Sequence, residues 1–182
     1  MARDTLSRSL HDLGLSAWFG GTLANAVALN PAAAEADTST STGAVANVGW
    51  DRWTPVNAAA IGIHVAGSLG QLIGNKGRLV GQDGVGTTAL TKTALTAAAL
   101  GVTAYSRMLG QKVSEETRVP VDSGTEPEAG TPPSVASAQK QLAALQWAVP
   151  ALTGALVVVS SFAGEQQGAS EVRRGLKQRL MG

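Results

Sequence analysis

WTPVNAAAIGIHVAGSLGQLIGN, the sequence of residues 53–75, contains no aspartate, glutamate, lysine or arginine. A helix of about 20 mostly apolar residues is long enough to cross the hydrocarbon core of a bilayer. Three other stretches share this property, with Lys92 as the single exception: residues 13–34, 84–106 and 141–164. Four such stretches in 182 residues predict an all-α integral membrane protein, a bundle of four transmembrane helices.

Local signals set the expected ends of these helices. Asn30-Pro31 should end the first one, because the residue before a proline is pushed out of the helical region. Thr54 and Pro55 suit the N-cap and the first position of the second. Within one domain, 1–182, the predicted helices cover residues 10–29, 55–75, 86–109 and 138–163, with polar outer loops at 31–54 and 109–138 and a basic tail at 169–182.

Composition excludes several classes of protein. The chain has no cysteine, so it has no disulfide or thiolate metal site, and its net charge of +1 favours no nucleic-acid partner. A soluble alanine-rich bundle is the alternative fold, but it would carry charged residues along a solvent-facing side. Arg3 and Arg8 before an apolar run also fit a cleavable signal peptide, although the length of that run favours its retention.

Charge and aromatic residues predict the orientation of the bundle. More lysines and arginines fall on the side of the chain termini, which predicts a multi-pass protein of the bacterial plasma (inner) membrane with both termini in the cytoplasm. Expected anchors at the outer membrane interface are Trp50, Trp53, Tyr105 and Trp147. The tail resembles a short basic amphipathic helix, whose expected contacts with lipid head groups are Arg173, Arg174, Lys177 and Arg179.

Small residues recur every four positions in the second predicted helix, at Gly62, Ala66, Gly70 and Gly74. Such a stripe lets two helix backbones approach closely in lipid. It is therefore predicted to be a helix-packing face, against another helix of this chain or against a partner subunit.

The two histidines, His11 and His64, are the weak candidates for a metal or haem site. An ionisable residue inside a membrane span is a functional candidate. With the first helix starting near residue 10, His11 lies at its cytoplasmic end and His64 near the middle of the next helix. At 1.5 Å per residue the expected difference in depth is roughly 16 Å, which argues against a shared ligand.

His11, Trp18, Phe19, Gly20 and Gly21 form a pattern that resembles the first helix of the CopD-like family of copper-transport membrane proteins. The resemblance implies a membrane location and His11 as a copper ligand. The alanine- and arginine-rich composition is also similar to small uncharacterised four-helix membrane proteins of high-GC, actinobacterial-like bacteria.

No catalytic motif stands out, so the predicted function is non-enzymatic. The expected role is an accessory or scaffold subunit of a larger membrane protein complex, with the lipid bilayer and other membrane subunits as partners and no cofactor. The alternative is a membrane protein that handles haem or copper through its histidines, in redox chemistry or copper transport.

Overall fold

The computed structural model describes residues 4–116, 119–168, 172 and 177. The helices are α1 (Thr5–Ala24), α2 (Asn30–Ala34), α3 (Ser39–Gly74), α4 (Lys76–Gly81), α5 (Val85–Glu115) and α6 (Pro133–Glu165), with a π-helical segment, Asn25–Leu29, between α1 and α2. Two short strands, β1 (Val121–Ser123) and β2 (Glu126–Pro127), pair antiparallel. The prediction of an all-α fold is confirmed.

The first helix runs past Pro31, so its predicted end at Leu29 is wrong. A proline within a helix removes one amide donor and clashes with the carbonyl of the residue four positions earlier. The π-helical segment changes the hydrogen-bond spacing just before this point, and the amide of Asn30 donates to the carbonyl of Asn25, five residues back. The chain therefore passes Pro31 and stays helical to Ala34.

The predicted polar loop at 31–54 is also largely helical, because α3 begins at Ser39. Its N-cap is Thr38, whose hydroxyl accepts a hydrogen bond from the amide of Ser41 at 3.1 Å. Thr54 and Pro55 lie inside this helix of 36 residues. The pair Thr54-Pro55 suits a helix start, yet Thr38 supplies the same cap chemistry earlier, and its side chain makes the capping bond.

The second predicted polar loop, 109–138, is shorter than predicted and contains a β-hairpin. Helix α5 extends into it as far as Glu115, and α6 starts at Pro133, before the predicted residue 138. The β1–β2 hairpin between them packs on α3 and α6. Its Val121 is buried, and Gly124 lies against Asn30 and Ala46 of the neighbouring helices.

The long helices form two antiparallel pairs, α1 with α3 and α5 with α6, and α1 also packs on α6. Helices α3 and α5 make few contacts, which leaves a cleft between them. At one end of the bundle Asn75 donates to Asp4, and Arg78 donates to the carbonyl of Gln166. The start of α1 and the end of α6 therefore lie at the same end.

Two helices, α3 and α6, are long and apolar enough to span a membrane. Their most apolar windows have mean hydropathies of 1.4 and 1.9, and only 17% and 22% of those windows are buried within the protein. These helices therefore turn most of their apolar surface outward, as helices in lipid do, whereas the core helix of a soluble protein is mostly buried. The predicted basic tail, with Arg173, Arg174 and Arg179, lies outside the described residues; Lys177 is helical and exposed.

A buried histidine pair as the candidate functional site

Helices α1 and α3 meet along a seam whose residues recur mostly every three or four positions. On α1 and its first flanking residues the seam comprises Asp4, Ser7, His11, Gly14, Trp18 and Gly21. On α3 and its C-cap it comprises Trp53, Ala60, His64, Gly67, Gly70, Gly74 and Asn75. An average spacing of 3.5 residues keeps one side of each helix facing its partner, as in a coiled coil.

Two glycines bring the backbones together at the centre of this seam. A β-carbon on Gly14 would lie 3.0 Å from the Cα of His64 and closer still to the carbonyl oxygen of Ala60. A β-carbon on Gly67 would lie 2.8 Å from the Cα of His11. Close approach of this kind is the usual role of small residues between helices in lipid.

Directly beside these glycines, the rings of His11 and His64 lie in contact with each other. Their centroids are 4.5 Å apart, the ring planes are tilted by 50°, and both side chains are fully buried. The indole of Trp18 closes one side, with its centroid 6.0 Å from that of His64. The result is a compact, fully buried polar site between α1 and α3.

Hydrogen bonds indicate which nitrogen of each histidine ring carries the proton. Nδ1 of His11 lies 2.7 Å from a carboxylate oxygen of Asp12, and Nδ1 of His64 lies 3.3 Å from the carbonyl oxygen of His11. Carboxylate and carbonyl oxygens only accept, so both Nδ1 atoms must donate. In a neutral imidazole this leaves the lone pair on Nε2 of each ring.

The two Nε2 atoms have different surroundings. Nε2 of His11 is buried and has no hydrogen-bond partner within the described part of the chain. Nε2 of His64 lies 3.5 Å from the hydroxyl of Thr96 on α5. Thr96 also lines a cavity of about 290 Å³ between α3 and α5, which we call the Lys92 cavity after another of its lining residues. Thr96 therefore lies between the pair and this cavity.

The predicted separation of the histidines in depth is wrong. Asp4 pairs with Asn75, and His11 lies level with Gly67, only three residues from His64. Three residues correspond to about 4.5 Å along a helix. The error arose from starting the first helix near residue 10, whereas α1 begins at Thr5 and carries His11 deeper into the bundle.

The four-residue stripe is divided between two surroundings. Gly70 contacts the side chain of Ser7, and Gly74 lies near the carboxylate of Asp4, so both face α1. Gly62 and Ala66 are exposed, and nothing lies within 4 Å of a β-carbon placed on Gly62. A spacing of four advances about 40° around a helix at each step, so Ala66 and then Gly62 turn progressively away from α1.

The predicted interface aromatics are only partly outward-facing. Trp50 donates from Nε1 to Oδ1 of Asn30 at 3.0 Å, and the ring of Trp53 packs on Gly21. Tyr105 and Trp147 are 44% and 50% exposed. Only the last two present a large ring surface to their surroundings.

Asn30 was predicted only as the end of the first helix, but it is a buried residue that connects three helices. Besides accepting from Trp50, its amide donates to Oε1 of Gln146 on α6 at 2.8 Å. It thereby joins α2, α3 and α6 at the end of the bundle where the hairpin sits. Its position directly before Pro31, within an apolar stretch, was the available signal.

Chemically, the Nε2 lone pair of each neutral imidazole can accept a hydrogen bond or ligate a metal ion. Within the described residues, no group of three or more histidine, aspartate or glutamate side chains is arranged to hold a metal. Comparison with protein-family models, curated proteins and solved structures finds no match to this chain.

Proposed function

We propose that the protein is a four-span integral membrane protein of the bacterial inner membrane that serves as a non-catalytic accessory or scaffold subunit of a larger membrane assembly. The observation that carries this proposal is the outer face of α3. There Gly62 and Ala66 are exposed on an apolar helix, and nothing lies within 4 Å of a β-carbon placed on Gly62.

Apolar surface outside the bundle supports the membrane part of the proposal. Leu13, Ile73, Leu90 and Val158 are each at least 65% exposed, and they belong to all four long helices. In water such a surface would be unfavourable at about 25 cal/mol per Å². In a bilayer it contacts acyl chains, and α1 and α5 would cross alongside α3 and α6.

The small residues support the partner part. Side chains as small as those of Gly62 and Ala66 give lipid little to contact, but they let a second helix approach its backbone closely. The notch they form lies outside the α3–α5 cleft, because neither residue is among those that line the two cavities of that cleft. A helix of another subunit is the occupant that this surface fits best.

Co-purification with a matched control tests the proposal. Gly62→Leu would fill the notch, whereas Gly101→Leu on α5 places the same side chain at a site that is equally open. Both variants should insert and fold. We expect Gly62→Leu to lose a co-purifying membrane protein that wild type and Gly101→Leu retain in mild detergent. A wild-type protein that is a stable lone monomer under those conditions would rule out the subunit role.

The second candidate function is copper handling through His11 and His64, and the contact between the rings favours it. Histidines that ligate metals generally donate their other ring N–H to a carboxylate or a backbone carbonyl. Asp12 and the carbonyl of His11 provide these two acceptors. Haem fits less well. An iron between two imidazole nitrogens, at roughly 2 Å from each, together with a porphyrin, needs more room than centroids 4.5 Å apart allow.

Equilibrium loading with copper(I) under anaerobic conditions tests this second candidate. One copper per chain in wild type, lost in both His11→Ala and His64→Ala but kept in a variant of the tryptophan alongside, Trp18→Phe, would support it. Binding that is unchanged when either histidine is removed would eliminate it.

A further inference from the structure

The Lys92 cavity has an unusual lining. Its apolar walls come from α3 and α5 and include Leu69, Leu72 and Leu100. Its polar residues are amides, hydroxyls and two cations, Arg78 and Lys92, and no aspartate or glutamate lines it. The cavity therefore combines apolar walls with a net positive charge.

Arg78 lies at the end of the bundle and already has a fixed position. Its guanidinium donates to the side-chain oxygen of Gln82 at 3.0 Å, to that of Asn75 at 3.2 Å and to the carbonyl of Gln166 at 2.8 Å. All three acceptors are neutral, so its charge is held in place without being neutralised by them. The nearby carboxylate of Asp4 bonds to the amide of Asn75.

Lys92 lies deeper in the bundle. It is seven residues beyond the start of α5 at Val85, or about 10 Å along the helix axis. Over the described ranges its ammonium group forms no direct ion pair, and the carboxylate of Asp12 on α1 lies near enough to act on its charge. A charged group at that depth in a membrane protein needs a counter-charge or access to water.

The cleft continues beyond this cavity. A second cavity of about 300 Å³, lined by Trp53 and Arg107 among others, occupies the other half of the α3–α5 cleft and shares Leu100 with the first. The cleft thus offers a long, mainly apolar path that starts at two cations.

We propose that the Lys92 cavity binds an anionic phospholipid, with its phosphate beside Lys92 and Arg78 and an acyl chain lying in the α3–α5 cleft. Basic pockets between transmembrane helices on the cytoplasmic side are known recognition sites for anionic lipid head groups. A free phosphate would use the cations but leave the apolar walls uncovered, and a neutral lipid would bring no net negative charge to match the two cations that line the cavity. The inference depends on the proposed membrane location but not on the partner subunit.

Delipidated protein in a neutral detergent provides the test. We expect dioleoyl-phosphatidylglycerol to bind at one site by native mass spectrometry and to raise the midpoint of thermal unfolding. Dioleoyl-phosphatidylcholine and inorganic phosphate at the same concentration should do neither. Equal effects of the two lipids, or the full effect with inorganic phosphate, would overturn the proposal.

Variants of Lys92 make the test specific. Lys92→Gln should weaken phosphatidylglycerol binding by at least about fivefold, the factor expected for loss of one cation near a head group. Lys92→Arg should retain binding, and Lys112→Gln, an exposed lysine near the end of the same helix, should leave it unchanged. Equal binding by Lys92→Gln and wild type would refute the assignment. Because the readout is lipid binding by the isolated chain, it is independent of whether a partner subunit co-purifies.

Discussion

Gly67 of α3 lies directly against the main chain of His11 on α1. A β-carbon at position 67 would be 2.6 Å from the carbonyl oxygen of Ser7 and 2.8 Å from the Cα of His11. Both neighbours are backbone atoms, so neither can rotate away. This contact sets the distance between the two helices and brings the two histidine rings into contact.

Gly67→Ala should therefore destabilise the protein. The added methyl group must push α1 and α3 apart, and overpacking of this kind costs about 1–3 kcal/mol. The midpoint of thermal unfolding in detergent should fall relative to wild type. Gly62→Ala is the matched control, because its β-carbon meets nothing within 4 Å, and it should leave the midpoint nearly unchanged. Equal midpoints for the two variants would show that the contact is not restrictive.

The sequence predicted the helical class, and its charge-free stretches coincide with parts of the four long helices. It failed at the helix ends, since cap and proline signals at Thr54, Pro55 and Pro31 are also compatible with the interior of a helix once neighbouring helices hold it in place. Tertiary packing determines where these helices end, and a local sequence pattern carries no information about that packing.

The candidate site could be predicted only in part. His11 and His64 were recognisable as isolated histidines in apolar segments, but their contact depends on the register between α1 and α3. That register corresponds to steps of three or four residues along both helices. Apart from Trp18 and Trp53, the seam is made of glycine, alanine and polar residues, so a search for hydrophobic periodicity passes over it.

Gly70 and Ser7 provide a second test of the seam. A β-carbon at Gly70 would be 2.9 Å from the Cβ of Ser7, so Gly70→Ala should destabilise the fold by an amount similar to that of Gly67→Ala. Ser7→Gly removes the obstructing side chain. In that background the loss caused by Gly70→Ala should shrink, which a double-mutant cycle of unfolding midpoints would measure. Strictly additive effects would contradict the contact.

Asn30→Ala should weaken the end of the bundle that carries the hairpin. The substitution leaves Nε1 of Trp50 and Oε1 of Gln146 without their partner, and an unsatisfied buried polar group costs about 1–3 kcal/mol. Unfolding followed by tryptophan fluorescence would report this loss. Gln141→Ala is the control, since its hydrogen bond with Tyr105 is exposed and its removal should change stability by only about 0.5 kcal/mol or less. A loss no larger than that of the control would contradict the bridging role of Asn30.

The proposed membrane topology can be tested at residues that lie at opposite ends of the bundle. Thr40, near the start of α3, and Ala129, after the hairpin, are exposed, whereas Gly77 is exposed close to Asn75 at the opposite ends of the helices. With both termini in the cytoplasm, Thr40→Cys and Ala129→Cys should react with a membrane-impermeant thiol reagent applied to intact cells. Gly77→Cys should react only after the membrane is permeabilised. The chain has no native cysteine, so each signal comes from one position. Labelling of Gly77→Cys alone in intact cells would mean that the bundle is inserted the other way round, with the Lys92 cavity on the outer side.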